Sequence, residues 1–326
     1  MSNRISRRIF DTVRPGVRRI GLMDVARRVQ ERVLPPSLIH EIAHYESATT
    51  TTDRALEWLD GRGEFFLWVH YMEPHRPYGI NLENSAYGES MRRSEVLDLM
   101  ATAGVRPDRI SPVDRRRLVD LYDSDLRYTS EQLGRLFDAL RRRGRWEETD
   151  VVLTADHGEE FGEHGSYFHR NRPYDELLHV PLFVRSGRTD GGVVDEQREL
   201  LDVAPTICEF HGVDPPESFL GRSLFSGGPR RVVSTGSFRD DGQVVAARWD
   251  GWKYVRLERG SDELYDLDAD PGERRNVVDQ YPAVAARYRE AVPGRLFDGG
   301  GDPDLPDASD LDGDARRRLE GLGYLE

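Results

Sequence analysis

The sequence predicts an α/β protein, with a mixed, mainly parallel sheet between helices and a small C-terminal antiparallel-sheet subdomain. Three observations predict it. Phe65-Phe66-Leu67-Trp68-Val69-His70-Tyr71 is a continuous apolar run after a glycine-containing turn, the pattern of a strand buried on both faces. A long amphipathic helical pattern, Val113 to Arg143, separates it from a second short run, Asp150 to Thr154. After residue 226 the pattern changes to short stretches joined by Asp-Gly turns, which suits antiparallel strands.

Taken in order, residues 1–45 are polar, helical in pattern and basic at the start, and no core role is assigned to them. Thr49 to Leu59 predicts a helix: Thr49, Thr50, Thr51 and Thr52 offer N-caps, and Ala55, Leu56, Trp58 and Leu59 an apolar face. The threonines are read as caps rather than nucleophiles. Residues 79–112 form a polar insert with little strand signal. The long helix carries Leu118, Leu121, Tyr122, Leu126, Leu133, Leu136, Phe137 and Leu140 on one face and ends at Gly144. Val180 to Val184 is the next strand and Leu201 to Phe210 a helix. Val232 to Ser234, Gln243 to Arg248, Trp252 to Arg256 and Glu263 to Leu267 supply the C-terminal strands, and Pro282 to Val292 a helix. Phe297 to Asp314 is rich in Asp and Gly, and a last short helix is expected from Asp314 to Leu322. The organisation expected is a segment 1–45, an α/β domain 46–226, an α+β subdomain 227–295 and an acidic tail 296–326.

The formal net charge is −13 and the pI about 5.3, which excludes sequence-independent nucleic-acid binding as a role. Of 46 basic residues only Lys253 is a lysine. That bias points equally to salt adaptation or to codon usage alone. Cys208 is the single cysteine, so no intrachain disulfide forms; a cytosolic setting is compatible and the compartment stays open. No apolar run of about 18 residues is present to span a membrane. The arginine-rich start lacks the apolar stretch of a secretory signal.

The chemistry-bearing string is Asp156-His157-Gly158-Glu159-Glu160-Phe161-Gly162-Glu163-His164-Gly165, directly after the apolar run 150–154. Ligand sites of open α/β sheets gather at strand C-termini. A carboxylate and an imidazole there can serve a hard divalent cation, and Gly158 lets the backbone turn close to it. An Asp-His pair capping a helix is the plain alternative for the dipeptide alone. Three glycines and two histidines at this spacing have no packing purpose.

This string resembles the second metal motif of the sulfatases, in the alkaline phosphatase superfamily. Four further segments agree in the same order. Phe65 to Tyr78, with Met72-Glu73-Pro74-His75-Arg76-Pro77-Tyr78, is similar to the family's strand and Pro-His active-site loop. Tyr174 to Leu182 resembles its segment after the metal loop, Leu201 to Ile207 its following helix, and Glu263 to Glu273 its C-terminal hairpin. The resemblance covers roughly residues 45 to 326 and implies an alkaline-phosphatase-like fold. It further implies Asp156 and His157 as ligands of Ca²⁺ or Mg²⁺. His75 would act on the sulfate ester and its leaving group. The family's sulfate-binding lysine falls thirteen residues after Asp156; here that position is His169, with Arg170 beside it to bind sulfate oxygens. Tyr174 and Glu176 are read as holding the loop; His164 and Glu163 either support the metal ligands from behind or stabilise the loop by hydrogen bonds.

The family also opens with a strand ending in an Asp-Asp pair, followed by Cys- or Ser-x-Pro-x-Arg, the source of the formylglycine nucleophile. Neither element stands in its place here, and Cys208 lacks the required Pro and Arg. The expectation is therefore a chain without the N-terminal strand or strands and the nucleophile, inactive or nearly so alone, with apolar faces uncovered. The activity implied is hydrolysis of a small-molecule or saccharide sulfate ester. Two alternatives stand: a phospho- or phosphonate-ester hydrolase or phosphoethanolamine-type transferase of the same superfamily, and a non-catalytic remnant or half of a split enzyme completed by an N-terminal chain.

Overall fold

A computed structural model describes residues 46–79, 85–169, 173–187, 190–228, 230–238 and 242–292. The expectations for 1–45, for the tail 296–326 with its last helix, and for Arg170 lie outside the described residues. The chain divides into two compact units, Met1–Glu131 and Gln132–Glu326.

In the first unit, helix α1, Ala48–Leu59, is capped by Ser47, whose hydroxyl accepts the Thr50 N–H at 3.2 Å. The expected threonine caps are thus inside the helix. Thr49 and Thr52 instead hydrogen-bond the hydroxyls of Tyr128 and Tyr71 at 2.7 and 2.8 Å. Ala48, Thr52, Ala55 and Leu59 recur at helical spacing and are buried. Helix α2, Arg93–Val105, lies in what the sequence suggested was only a polar insert. It buries one face, Val96, Leu97, Met100, Ala101 and Ala103, while the apolar Val105 stands exposed off that face and blurs the stripe. Helix α3, Pro112–Arg142, begins in this unit and ends in the second, and it matches its expectation within a residue at each end.

Phe65 to Tyr71 belongs to no strand pairing among the described residues. Its exposure alternates: Phe66 is 59 % and Trp68 82 % exposed, while Phe65, Leu67 and Val69 are half-buried. The expected burial on both faces is corrected. An apolar run favours burial, but whether a segment becomes an inner strand depends on which other segments lie beside and above it.

The second unit holds strands β1, Val151–Thr154; β2, Glu160–Phe161; and β3, Tyr167–Phe168. A one-turn helix α4, Asp175–Leu178, and β4, Leu182–Arg185, follow, then α5, Val203–Phe210. β1 pairs with β4 antiparallel, Thr154 opposite Leu182, and β2 with β3. Every pairing among the described residues is antiparallel, so the parallel pairing expected of the main sheet is not among them.

The C-terminal subdomain is the clearest part of the expected design. β5, Val232–Phe238; β6, Gly242–Trp249; β7, Trp252–Leu257; and β8, Glu263–Asp266 form a four-stranded antiparallel meander in sequence order. Asp250 and Gly251, at φ 48° and 77°, make the two-residue turn between Trp249 and Trp252, as an Asp-Gly pair between strands should. Val245, Ala247 and Trp249 pack on one face with Leu264, and with Tyr288 of helix α6, Pro282–Ala291. Val244 and Ala246 pack on the other face with Tyr174 and Tyr265. Burial on both faces is why Val244 to Ala247 carries no polar alternation. No described helix is long and apolar enough to cross a membrane.

Candidate active site

Asp156 and His157 leave the end of β1, where the expected motif was placed. The Asp156 carboxylate accepts the His157 N–H at 3.0 Å, which holds the acid against its own turn. His157 Nδ1 lies 2.7 Å from the Gly158 carbonyl oxygen. A carbonyl only accepts, so Nδ1 carries the proton and Nε2 keeps its lone pair. That Nε2 is 4.0 Å from Asp156 Oδ2, with the carboxylate about half exposed, at 54 %.

His169 is brought to the same place. Its ring centroid is 4.6 Å from that of His157, tilted by 34°. Its Nδ1 is 3.9 Å from Glu159 Oε1, and the Glu159 side chain is nearly buried. Glu159 is a neighbour that reasoning from the motif did not single out; its signal was the acidic pair directly after Gly158. Asp156, His157 and His169 therefore converge. Arg170 lies outside the described residues.

Gly158 is required by a close approach. A β-carbon there would stand 2.0 Å from the Glu176 carbonyl oxygen, and the Gly158 N–H donates to the Leu177 carbonyl at 2.8 Å. The metal-motif loop thus leans on α4. Beyond Gly158 the loop is tied down by contacts of His164, Glu163, Tyr174 and Glu176. His164 stacks on the Tyr174 ring at 3.6 Å between centroids, and its Nε2 is 3.4 Å from Glu176 Oε2. Burial holds the His164 imidazole below the ordinary histidine range, against the opposing pull of Glu176. Arg274 donates to the Glu163 carbonyl at 2.6 Å.

His75 lies in the first unit. Its Nδ1 is 2.7 Å from the Arg76 carbonyl oxygen, so there too Nδ1 carries the proton. The surrounding loop is anchored to both flanking helices. Glu73, 2 % exposed, accepts the Ala48 N–H of α1 at 3.1 Å. The Gly79 N–H donates to Asp125 of α3 at 2.7 Å, and the Tyr78 ring meets Tyr122 edge-on at 5.5 Å. Burial pushes the Asp125 carboxyl up to about 7, the Glu73 charge adding to that and the Gly79 N–H opposing it. Cys208, in α5, is intermediate in exposure.

Donors at about 2.0–2.6 Å from a shared ion stand no more than about 5 Å apart. The 4.0 Å between Asp156 Oδ2 and His157 Nε2 meets that condition. Their chemistry, one hard oxygen and one imidazole nitrogen, suits a divalent cation. Among the described residues no group of three or more His, Cys, Asp or Glu side chains is placed to hold an ion. The pair fits part of a coordination shell.

Solved structures of similar architecture place the fold among the alkaline-phosphatase-like sulfatases. The phosphonate monoester hydrolase of Agrobacterium radiobacter superposes with a TM-score of 0.58 at 22 % identity, over 76 % of this chain and 61 % of that one. A protein solved with its substrate D-glucosamine-2-N,6-O-disulfate superposes with a TM-score of 0.59 at 18 % identity, over 79 % and 72 %. The sulfatase family model matches residues 14–213, and the chain belongs to that family. The match starts inside the N-terminal segment to which the sequence pattern assigned no core role. Arylsulfatase K of Bos taurus is 24 % identical over 284 residues, 72 % of this chain and 52 % of that protein. The multifunctional alkaline phosphatase superfamily protein PehA of Trinickia caryophylli is 26 % identical over 305 residues, 76 % and 58 %. The chain spans about half the length of the curated relatives it matches.

Proposed function

We propose that this chain carries the metal-loop part of a sulfuric ester hydrolase active site. The observation that supports this most is the Asp156–His157 pair, with its two donor atoms 4.0 Å apart and the imidazole tautomer set by the Gly158 carbonyl. Asp156 and His157 would hold a divalent cation, Ca²⁺ or Mg²⁺, which supplies Lewis acidity toward the oxygens of the bound ester. His169, kept beside His157, and Arg170 would take the sulfate oxygens and offset the charge gathering on them. His75, protonated on Nδ1, would present Nε2 to the leaving alcohol in its cationic form and return as a base in the neutral form. The attacking group, formylglycine by family resemblance, belongs to a Cys- or Ser-x-Pro-x-Arg motif that is not in this sequence. On this reading the chain alone turns over little or nothing, and a complementing N-terminal segment or chain would complete it.

The test is direct. Purified chain should bind Mn²⁺ weakly by calorimetry, lose that binding in Asp156→Ala, and show no metal-dependent turnover of 4-nitrophenyl sulfate or 4-nitrophenyl phosphate. Clear metal-dependent turnover would overturn the reading of an incomplete site, and binding indifferent to Asp156 and His157 would overturn their role.

A second reading, a phosphate- or phosphonate-ester hydrolase or a phosphoethanolamine-type transferase, draws on one observation. The residue thirteen after Asp156 is His169 rather than the lysine usual for sulfate. In a completed protein, a preference for phenylphosphonate esters over aryl sulfates would decide for it.

A further inference from the structure

We propose that Lys253 is a positioning residue for the Asp156–His157 loop, acting through a buried clamp with Asp175 and Glu273; this rests on reading that pair as metal ligands. The starting point is compositional. In a chain that uses arginine at every other basic position, one lysine stands on β7, and it is wholly buried. Its Nζ lies 3.0 Å from Asp175 Oδ1 and 2.8 Å from Glu273 Oε1. Arg248 adds a contact to Asp175 Oδ2 at 3.4 Å. A compact ammonium directs three donors from one atom and fits between two closely placed carboxylates. A planar guanidinium needs more room and a flat partner.

The clamp sets where α4 lies. Asp175 is its first residue, and Glu273 also accepts the Asp175 backbone N–H at 2.6 Å. Both the side chain and the main chain of that residue are therefore tied to the C-terminal subdomain. Two residues on, the Leu177 carbonyl accepts the Gly158 N–H at 2.8 Å, and the Glu176 carbonyl leaves no space for a side chain at Gly158. The other side of the same residue, the Gly158 carbonyl, takes the proton of His157 Nδ1. A displacement of α4 thus moves Gly158, and Gly158 orients the imidazole whose Nε2 faces Asp156. Without the ammonium, Asp175 would keep only Arg248, the wholly buried Glu273 would lose its cation, and the strain would fall on α4. Burial already holds the Glu273 carboxyl above its ordinary range, with Lys253 opposing the shift.

Hydrogen exchange read amide by amide tests this without requiring turnover. In Lys253→Met the Gly158 amide should exchange at least tenfold faster, while amides of β6 and β7 stay protected. Adding Glu273→Gln to that variant should restore part of the protection by removing one stranded charge, a rescue that a role in packing alone would not show. Glu273→Gln by itself covers the case in which Lys253→Met does not fold; it should loosen Gly158 less, because Lys253 keeps Asp175. Mn²⁺ affinity measured on the same proteins should fall at least tenfold in Lys253→Met. Unchanged Gly158 protection in Lys253→Met, or equal loss across the whole sheet in both single variants, overturns the proposal. Absence of Mn²⁺ and Ca²⁺ binding in the unmodified chain would remove the ligand reading of Asp156 and His157, and the exchange comparison would still decide whether Lys253 orders their loop.

Discussion

At Gly158 a single hydrogen atom stands where a methyl group would collide with the Glu176 carbonyl at 2.0 Å. Gly158→Ala should therefore destabilise the second unit by about 1–3 kcal/mol, the usual range for overpacking, measured by urea denaturation. The same change should disturb His157 through its hydrogen bond to the Gly158 carbonyl. At His157 itself, replacement by Ala should lower Mn²⁺ affinity at least tenfold with little effect on stability, because the side chain is on the surface side of the loop and about a third exposed. Equal loss of binding and of folding would show the histidine to be a packing residue. These positions were legible from the chain alone, since the string from Asp156 to Gly165 is contiguous. Glu159 was less so: nothing in a linear motif shows that its carboxylate turns back to His169.

Among the elements, the Pro-His loop on α1 and α3 makes a specific claim about pH. Burial raises the Asp125 carboxyl from the ordinary carboxylate range to about 7. A raised carboxyl favours folding in its protonated form, so its contribution is fully present below about pH 4 and is lost as pH rises through 7. Asp125→Asn keeps an acceptor for the Gly79 N–H and removes the titration. The variant should gain stability relative to the unmodified chain as pH rises from 5 to 8, by at most a few kcal/mol, on the order of the cited shift. Parallel denaturation curves at all pH values would refute the assignment. Helix α3 and the C-terminal strands followed from periodicity and from the Asp-Gly turn at 250–251, because those signals are local. Helix α2 did not, since apolar Val105 lies exposed off its buried face and blurs the periodicity. Strand pairing was also out of reach. The β1 and β4 register joins segments some thirty residues apart, and an apolar run carries no mark of its partner or its direction.

For the molecule as a whole, the segment 65–71 shows Phe66 and Trp68 to solvent. Trp68→Lys should reduce bis-ANS binding and aggregation while changing stability by less than about 0.5 kcal/mol, as expected of an exposed site. A large loss of stability would show that Trp68 is covered in solution. The family, and the residues proposed to carry its chemistry, were written in short stretches that survive reading in one dimension: a strand end, an Asp-His-Gly turn, a Pro-His loop. Chemistry of that kind needs few residue types at close spacing, and close spacing is visible in a string. The role of Lys253 was not visible. It depends on Asp175, 78 positions away, and on Glu273, whose contact with Asp175 spans 98. An isolated lysine in a sequence resembles any surface lysine. Only folding buries its charge, and burial is what turns that charge into a constraint on the loop that bears Asp156 and His157.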